Sequence, residues 1–317
     1  MPTLKFSRMP TLTPVNPTSY ITKNFPGFLN YPASRFVCTY ITMSQPEKIL
    51  PVTVTSELTL TPLGGALLVN EILKGLLYQK CQIPYSYTYM KQLVEKRRKK
   101  LCQQENEPQK VNLTVEKHYR VVSAAYDYME MVMKGISVQF SDPSSHIKEV
   151  VIMFGTSPNF PTEVFTIEMP LVMTGHIECN HIRQLNNHLH KIMRDIFLSQ
   201  VWIDSIDGAM TCTNTFIFLK KLAHMETAFT NEAFEACAPI RTDPSSKHVR
   251  FIINHTPRDK TNCCADLEIF EDNGSSKTHQ AAQATPEETQ VVWCRSKGFF
   301  QGFRDCFIKK VSASESW

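Results

Sequence analysis

Glycine is scarce in this chain, 11 of 317 residues, so a backbone cradle for phosphate has little material to be built from. Neither GxGxxG nor GxxxxGK[ST] occurs, and GxSxG and HExxH are missing as well. Dinucleotide binders, P-loop NTPases, nucleophile-elbow hydrolases and zincin proteases are thereby excluded, and no catalytic residue, metal ligand or cofactor is assigned. No uninterrupted run of 18 apolar residues exists, so no membrane-spanning helix is predicted. Acidic residues are absent before Glu47, a stretch that holds seven prolines. An acid-poor start is compatible with a transit peptide, but the prolines break any amphipathic helix and no apolar signal core follows. Residues 1–55 therefore read as a disordered Pro-rich extension, in which Met43 is an alternative start. The ten cysteines include no CxxC, which predicts reduced thiols in cytosol or nucleus. The sequons at Asn112, Asn254 and Asn273 are then chance matches.

What is present is an ordinary globular balance, with 42% apolar and 20% charged residues. A net charge of +4 over this length does not demand a nucleic-acid partner. Order is expected from "LGGALLVNEILKGLLYQK", where Leu67, Leu68, Ile72 and Leu76 recur at helical spacing to about Lys80. The chain turns at Pro84 and continues as a helix into a basic run, Lys96 to Lys100. A long helix begins at Thr114, the expected cap, and ends near Gly135. "KEVVIMFG" and "TEVFTIEMPLV" read as a hairpin, and a further long helix spans about Asn180 to Trp202. "TNTFIFLKK", "HVRFIINH", "ADLEIFED" and "TQVVWCRSKGFFQGFRDCFIKK" supply further strands. The pattern predicts an α+β domain over residues 56–310, three long helices on a mostly antiparallel sheet. Flexible loops are expected near 102–112 and 272–288, with 311–317 as a tail.

Three segments invite chemistry. His176, Cys179, His181, His188 and His190 are dense enough for a metal, but at 100° per residue His190 opposes His181 and His188, so surface histidines are the simpler reading. "VEKRRKK" fits a solvated helix end, a nuclear import signal or a phosphate-binding strip, the last weakened by the lack of interleaved aromatics. In the helix from Asn180, Leu185, Leu189, Ile192 and Ile196 form one apolar stripe, with Met193 and Phe197 beyond it. That extra width fits either a second contact inside the fold or a partner groove flanked by Asn186 and Arg194.

Taken together, "LLYQKCQIPYSYTYMKQL", "LHKIMRDIFLSQVW" and "WCRSKGFFQGFRD" resemble the motifs of the comet family. The third is similar to its Trp-x6-Phe-x-Gly-Phe-Arg signature, matched without a gap by Trp293, Phe300, Gly302, Phe303 and Arg304. The resemblance implies a HORMA-like fold whose C-terminal safety belt is occupied by the chain's own strand, built on those five residues. It also implies a non-enzymatic adaptor that silences the spindle assembly checkpoint. Its partners would be the closed conformer of the checkpoint HORMA protein Mad-two (Mad2) and the pachytene-checkpoint AAA+ ATPase, which opens Mad2. The family's partner-contacting glutamine matches Gln79, with Leu76 and Lys80 beside it. Its aromatic contact on the central helix falls at Met193, near Asn186, Arg194 and Phe197. Pro239 and Arg241 are the stand-ins for the ATPase contact. Nuclear and cytoplasmic residence, with spindle and kinetochore association in mitosis, follows from the same resemblance, and neither membrane nor nucleic acid is implied as a partner. Two alternatives differ in class: a HORMA module that captures outside peptides, and a nucleic-acid binder working through Lys96 to Lys100.

Overall fold

The structure, a computed structural model, describes residues 47–54, 60–103, 112–174, 178–205, 210–223, 232–241, 245–255 and 290–317. The expected strand "ADLEIFED", the loop at 272–288 and most of the loop at 102–112 lie outside these residues, as do residues 1–46. Among the described residues four helices have 17 residues or more: α1 (Pro62–Gln79), α2 (Tyr87–Gln103), α3 (Leu113–Phe140) and α4 (Glu178–Phe197). A fifth, α5 (Gln200–Ile203), is a single turn. None of the helices among the described residues is long and apolar enough to cross a membrane.

Each helix starts where its sequence allows. Thr61 accepts from the Gly64 amide and Pro62 opens α1, where a missing N–H costs nothing. Asn112, rather than Thr114, caps α3 by accepting from the Thr114 amide. Gly135 does not end that helix, which runs on to Phe140. Its lack of a side chain serves close packing instead, since a Cβ there would lie 2.4 Å from the Ala233 Cβ. Ser199 breaks the expected Asn180-to-Trp202 helix in two by capping α5 through the Trp202 amide.

The strands are β1 (Lys48–Val54), β2 (Ser145–Ser157), β3 (Phe160–Glu168), β4 (Asn214–Ala223), β5 (Phe234–Cys237), β6 (Lys247–His255), β7 (Gln290–Ser296) and β8 (Phe300–Gln301). They form one sheet in the order β1-β6-β3-β2-β4-β7-β5, with β8 also on β4. The pairs β1–β6 and β3–β6 are parallel and the rest antiparallel. A small hairpin, β9 (Phe307–Ile308) and β10 (Val311–Ser312), follows. The predicted hairpin is β2–β3, with Ile152 opposite Phe165.

Helices α1, α3 and α4 cover one face of the sheet, α1 between the other two, while α2 packs outside on α3. Along β2, Val150, Ile152 and Phe154 join the main core under the helices, whereas Val151 and Met153 join a smaller cluster on the opposite face. A central strand apolar on both faces reads as an unbroken run, which is why "KEVVIMFG" shows no alternation. The α+β class, with helices on a mostly antiparallel sheet, is the architecture observed.

Two boundaries differ from expectation. The sheet starts ahead of residue 56, because β1 joins β6 as a parallel edge strand, burying Leu50 and Val52. Pro51 is tolerated there because an edge strand can spare one N–H. Residues 311–317 are no loose tail: they form β10 and a 3₁₀ turn (Ala313–Ser316), and Trp317 is 1% exposed.

Candidate functional site

Helices α1 and α4 lie side by side in the same direction, since a Cβ on Gly64 would meet Leu185 and one on Gly75 would meet Phe197 and Met193. At Gly75 the approach is extreme. An added Cβ would sit 2.2 Å from the Phe197 ring and 3.4 Å from the Met193 Cε. The absent side chain lets the tip of the Phe197 ring press against α1, and its ring meets Trp202 edge-on, centroids 5.3 Å apart. Behind this junction Leu185, Leu189, Ile192 and Ile196 are buried, as their spacing predicts. In front, Asn186 and Arg194 are exposed while Met193 and Phe197 are half-buried. Gln79, one turn beyond Gly75, is exposed at the end of the same helical stripe.

Leu76 and Lys80 do not belong to that surface. Leu76 is fully buried and Lys80 is 2% exposed. The Lys80 ammonium turns inward at the end of α1, pairs with Glu163 at 2.7 Å and donates to the Ser205 carbonyl at 3.2 Å. It also lies over the Phe165 and Trp202 rings, 5.5 and 5.8 Å from their centroids. A lysine next to an exposed glutamine looks solvent-facing in sequence; here the buried carboxylate on β3 draws it in.

The C-terminal segment is sewn into the sheet. Trp293 of β7 is in register with Lys220 of β4 on one side and Cys237 of β5 on the other, so β7 is an interior strand and not a strand at the sheet's edge. Cys294, Phe300 and Phe303 enter the main core. Trp293 instead faces the opposite side of the sheet, half-buried against the smaller cluster, with Lys220 Nζ 5.6 Å from its ring centroid. Alternation along β7 forces this outcome: Cys294 and Trp293 cannot share a face.

Gln82, which sequence reasoning passed over, ties the knot. Its side-chain amide donates to the Lys80 and Thr211 carbonyls at 2.9 and 3.2 Å, and its Oε1 accepts from the Thr213 amide at 2.8 Å. The Phe303 amide donates to the Gln82 carbonyl and the Gly302 amide to that of Thr213, both at 2.9 Å. Gly302 is required, because a Cβ would lie 2.4 Å from Gln82 Oε1. Its signal in sequence was only its place after "YQKC", since a buried amide has no periodicity.

Beyond Phe303 a polar cluster anchors the end of the chain. Asp305 accepts from the Tyr85 hydroxyl, from the Cys306 amide at 2.8 Å and from Ser312 at 3.0 Å, with His118 Nε2 at 3.3 Å. Burial and the neighbouring Asp305 carboxylate push the Tyr85 hydroxyl well above its ordinary pKa. Burial holds His118 below its usual value against the opposing pull of Asp305. Trp317 packs against His118 at a tilt and against Tyr119 edge-on, centroids 5.6 and 5.4 Å away, and its carbonyl accepts from Lys100.

The basic run is largely engaged within the fold. Arg98 binds Asp127 at 2.7 Å and Ser123 at 2.8 Å, Arg97 lies 3.7 Å from Glu116, and Lys96 and Lys99 remain exposed. Of the histidine cluster, His181 is buried, His188 half-buried and His190 exposed; His176 and the Cys179 side chain lie outside what is described. Pro239 and Arg241 are exposed just after β5.

Comparison with curated proteins returns no match. A family model does match, over residues 42–217, more than half of the chain. It carries the description "p31comet: Mad1 and Cdc20-bound-Mad2 binding". The matched span holds α1, α4 and the junction at Gly75, and ends inside β4, ahead of Pro239, Arg241 and the Trp293–Arg304 segment. With its helices layered on a multi-stranded sheet in the HORMA-like manner, the chain belongs to the p31comet family of Mad2-binding proteins.

Proposed function

We propose that this chain is a non-catalytic adaptor of the spindle assembly checkpoint that grips Mad2 in its closed conformer and presents it to the pachytene-checkpoint AAA+ ATPase for opening. The docking face is the outer side of α1 and α4, carried by Gln79, Asn186, Met193, Arg194 and Phe197. The observation that carries this reading is the Gly75 junction, which fixes Met193 and Phe197 between two rigid helices beside exposed polar groups. A preformed apolar strip with a polar rim is the anatomy of a protein interface. Met193 supplies adaptable apolar area where the family has an aromatic.

The safety belt is taken as self-occupied, built from Trp293, Phe300, Gly302, Phe303 and Arg304. The insertion of β7 between β4 and β5 supports this over capture of outside peptides, because that stretch of β4 already has a strand partner. Pro239 and Arg241 are the positions proposed for the ATPase contact. The setting is nucleus and cytoplasm, at spindle and kinetochore in mitosis. Met193→Asp tests the docking face: an unpaired carboxylate buried on binding is expected to weaken capture of closed Mad2 at least about tenfold without unfolding the chain. Unchanged capture by that variant removes this face from the account.

A further inference from the structure

A groove of about 560 Å³ opens at the C-terminal end of α1. Tyr78 and Gln79 line it together with Phe303 and Arg304 of the C-terminal segment, and Ile83, Pro84 and Met210 add apolar lining. Ile83 and Phe303 are buried, at 1% and 6% exposure, whereas Tyr78, Gln79 and Arg304 are open to solvent. The groove thus has an apolar floor and a polar rim.

Its two charged groups, Arg304 and Asp305, differ in how they are engaged. Asp305 also borders the groove, but its carboxylate is taken by Tyr85, Ser312 and the Cys306 amide and faces His118. Lys80 is withdrawn into the core with Glu163. Arg304 is exposed and, among the described residues, makes no hydrogen bond or ion pair. The lining therefore offers one open guanidinium, a group whose planar fork matches a carboxylate.

We infer that Arg304 is a partner-binding residue: it receives an aspartate or glutamate side chain of the docked Mad2, while an adjoining apolar side chain settles on Ile83 and Phe303. This rests on the docking reading above, and it extends the face from α1 and α4 onto the C-terminal segment, with Gln79 shared by both. The position of Arg304 is fixed by the bonds that sew Gly302 and Phe303 to Thr213 and Gln82. Belt insertion and partner binding are thereby coupled, because the belt brings the arginine to the groove.

The test uses the full chain and purified closed Mad2, with affinity and melting temperature measured for Arg304→Glu, Arg304→Gln and Arg304→Lys. The inference predicts a loss of about tenfold or more for Glu and Gln, a smaller loss for Lys, which keeps the charge without the fork, and melting within about 1 °C of wild type for all three. Raising salt should weaken wild-type binding more than that of Arg304→Gln. If Arg304→Glu binds like wild type while Met193→Asp does not, the groove inference is overturned and the docking face stands. If wild type itself fails to bind closed Mad2, both fall.

Discussion

Replacing Gly302 with alanine is the sharpest probe of how the C-terminal segment is held. The new Cβ would sit 2.4 Å from Gln82 Oε1, 3.0 Å from the Thr213 carbonyl oxygen and 3.1 Å from its amide nitrogen. Carbon and oxygen rarely approach closer than about 3.3 Å, so something must yield by about 1 Å. Gln82 is fully buried and held by three hydrogen bonds, which leaves two ways to relax. Either Oε1 withdraws and abandons the Thr213 amide, or the segment lifts and loses the Gly302 and Phe303 amide bonds. One or two unsatisfied buried groups cost about 1–3 kcal/mol each, offset by about 0.5–1 kcal/mol from the stiffer unfolded chain. A net loss of about 1–3 kcal/mol in a domain this large lowers the melting temperature by about 3–10 °C. Calorimetry or dye-monitored melting reads this directly, with Gln301→Ala, exposed one residue earlier, as the control expected to be silent. Combining Gly302→Ala with Gln82→Ala should cost less than the sum of the two, because the colliding oxygen is gone. Melting of Gly302→Ala at the temperature of the Gln301→Ala control would refute the stitching.

Other outcomes follow from the buried charges. Lys80→Ala leaves the buried Glu163 without its ion-pair partner and should destabilise by about 3–5 kcal/mol, whereas Lys80→Met with Glu163→Leu should restore most of that loss in the same melt. His118 and His146 are held below their ordinary pKa by burial, so they bind protons more weakly folded than unfolded. Their contribution is intact above the unfolded value of about 6.5 and lost as pH falls through it. Melting temperature should thus drop from pH 7.5 to 5.5, and less steeply in His118→Gln; an unchanged slope would remove His118 from the explanation.

Periodicity made some of this legible in advance and tertiary context hid the rest. The α4 stripe and the β2–β3 hairpin were readable because their neighbours repeat at 3.6 and at 2 residues. β1 was missed although Leu50 and Val52 alternate with exposed positions, because Pro51 and the proline-rich approach read as disorder. Lys80 was misjudged since nothing local announces Glu163, more than eighty residues ahead. Gln82 and Trp317 act through several long-range contacts, which no window of sequence can display. The Trp293 signature was recognisable as a strand, but not its interior position, which depends on β5 pairing to its far side.

The central claim concerns what the helical face holds. The decisive measurement is the affinity of the full chain for Mad2 locked closed against Mad2 locked open, by titration calorimetry under one set of conditions. The account predicts binding to the closed form at least about a hundredfold tighter, a coupling of about 2.7 kcal/mol. Equal affinity for both forms, or none for the closed one, would contradict it.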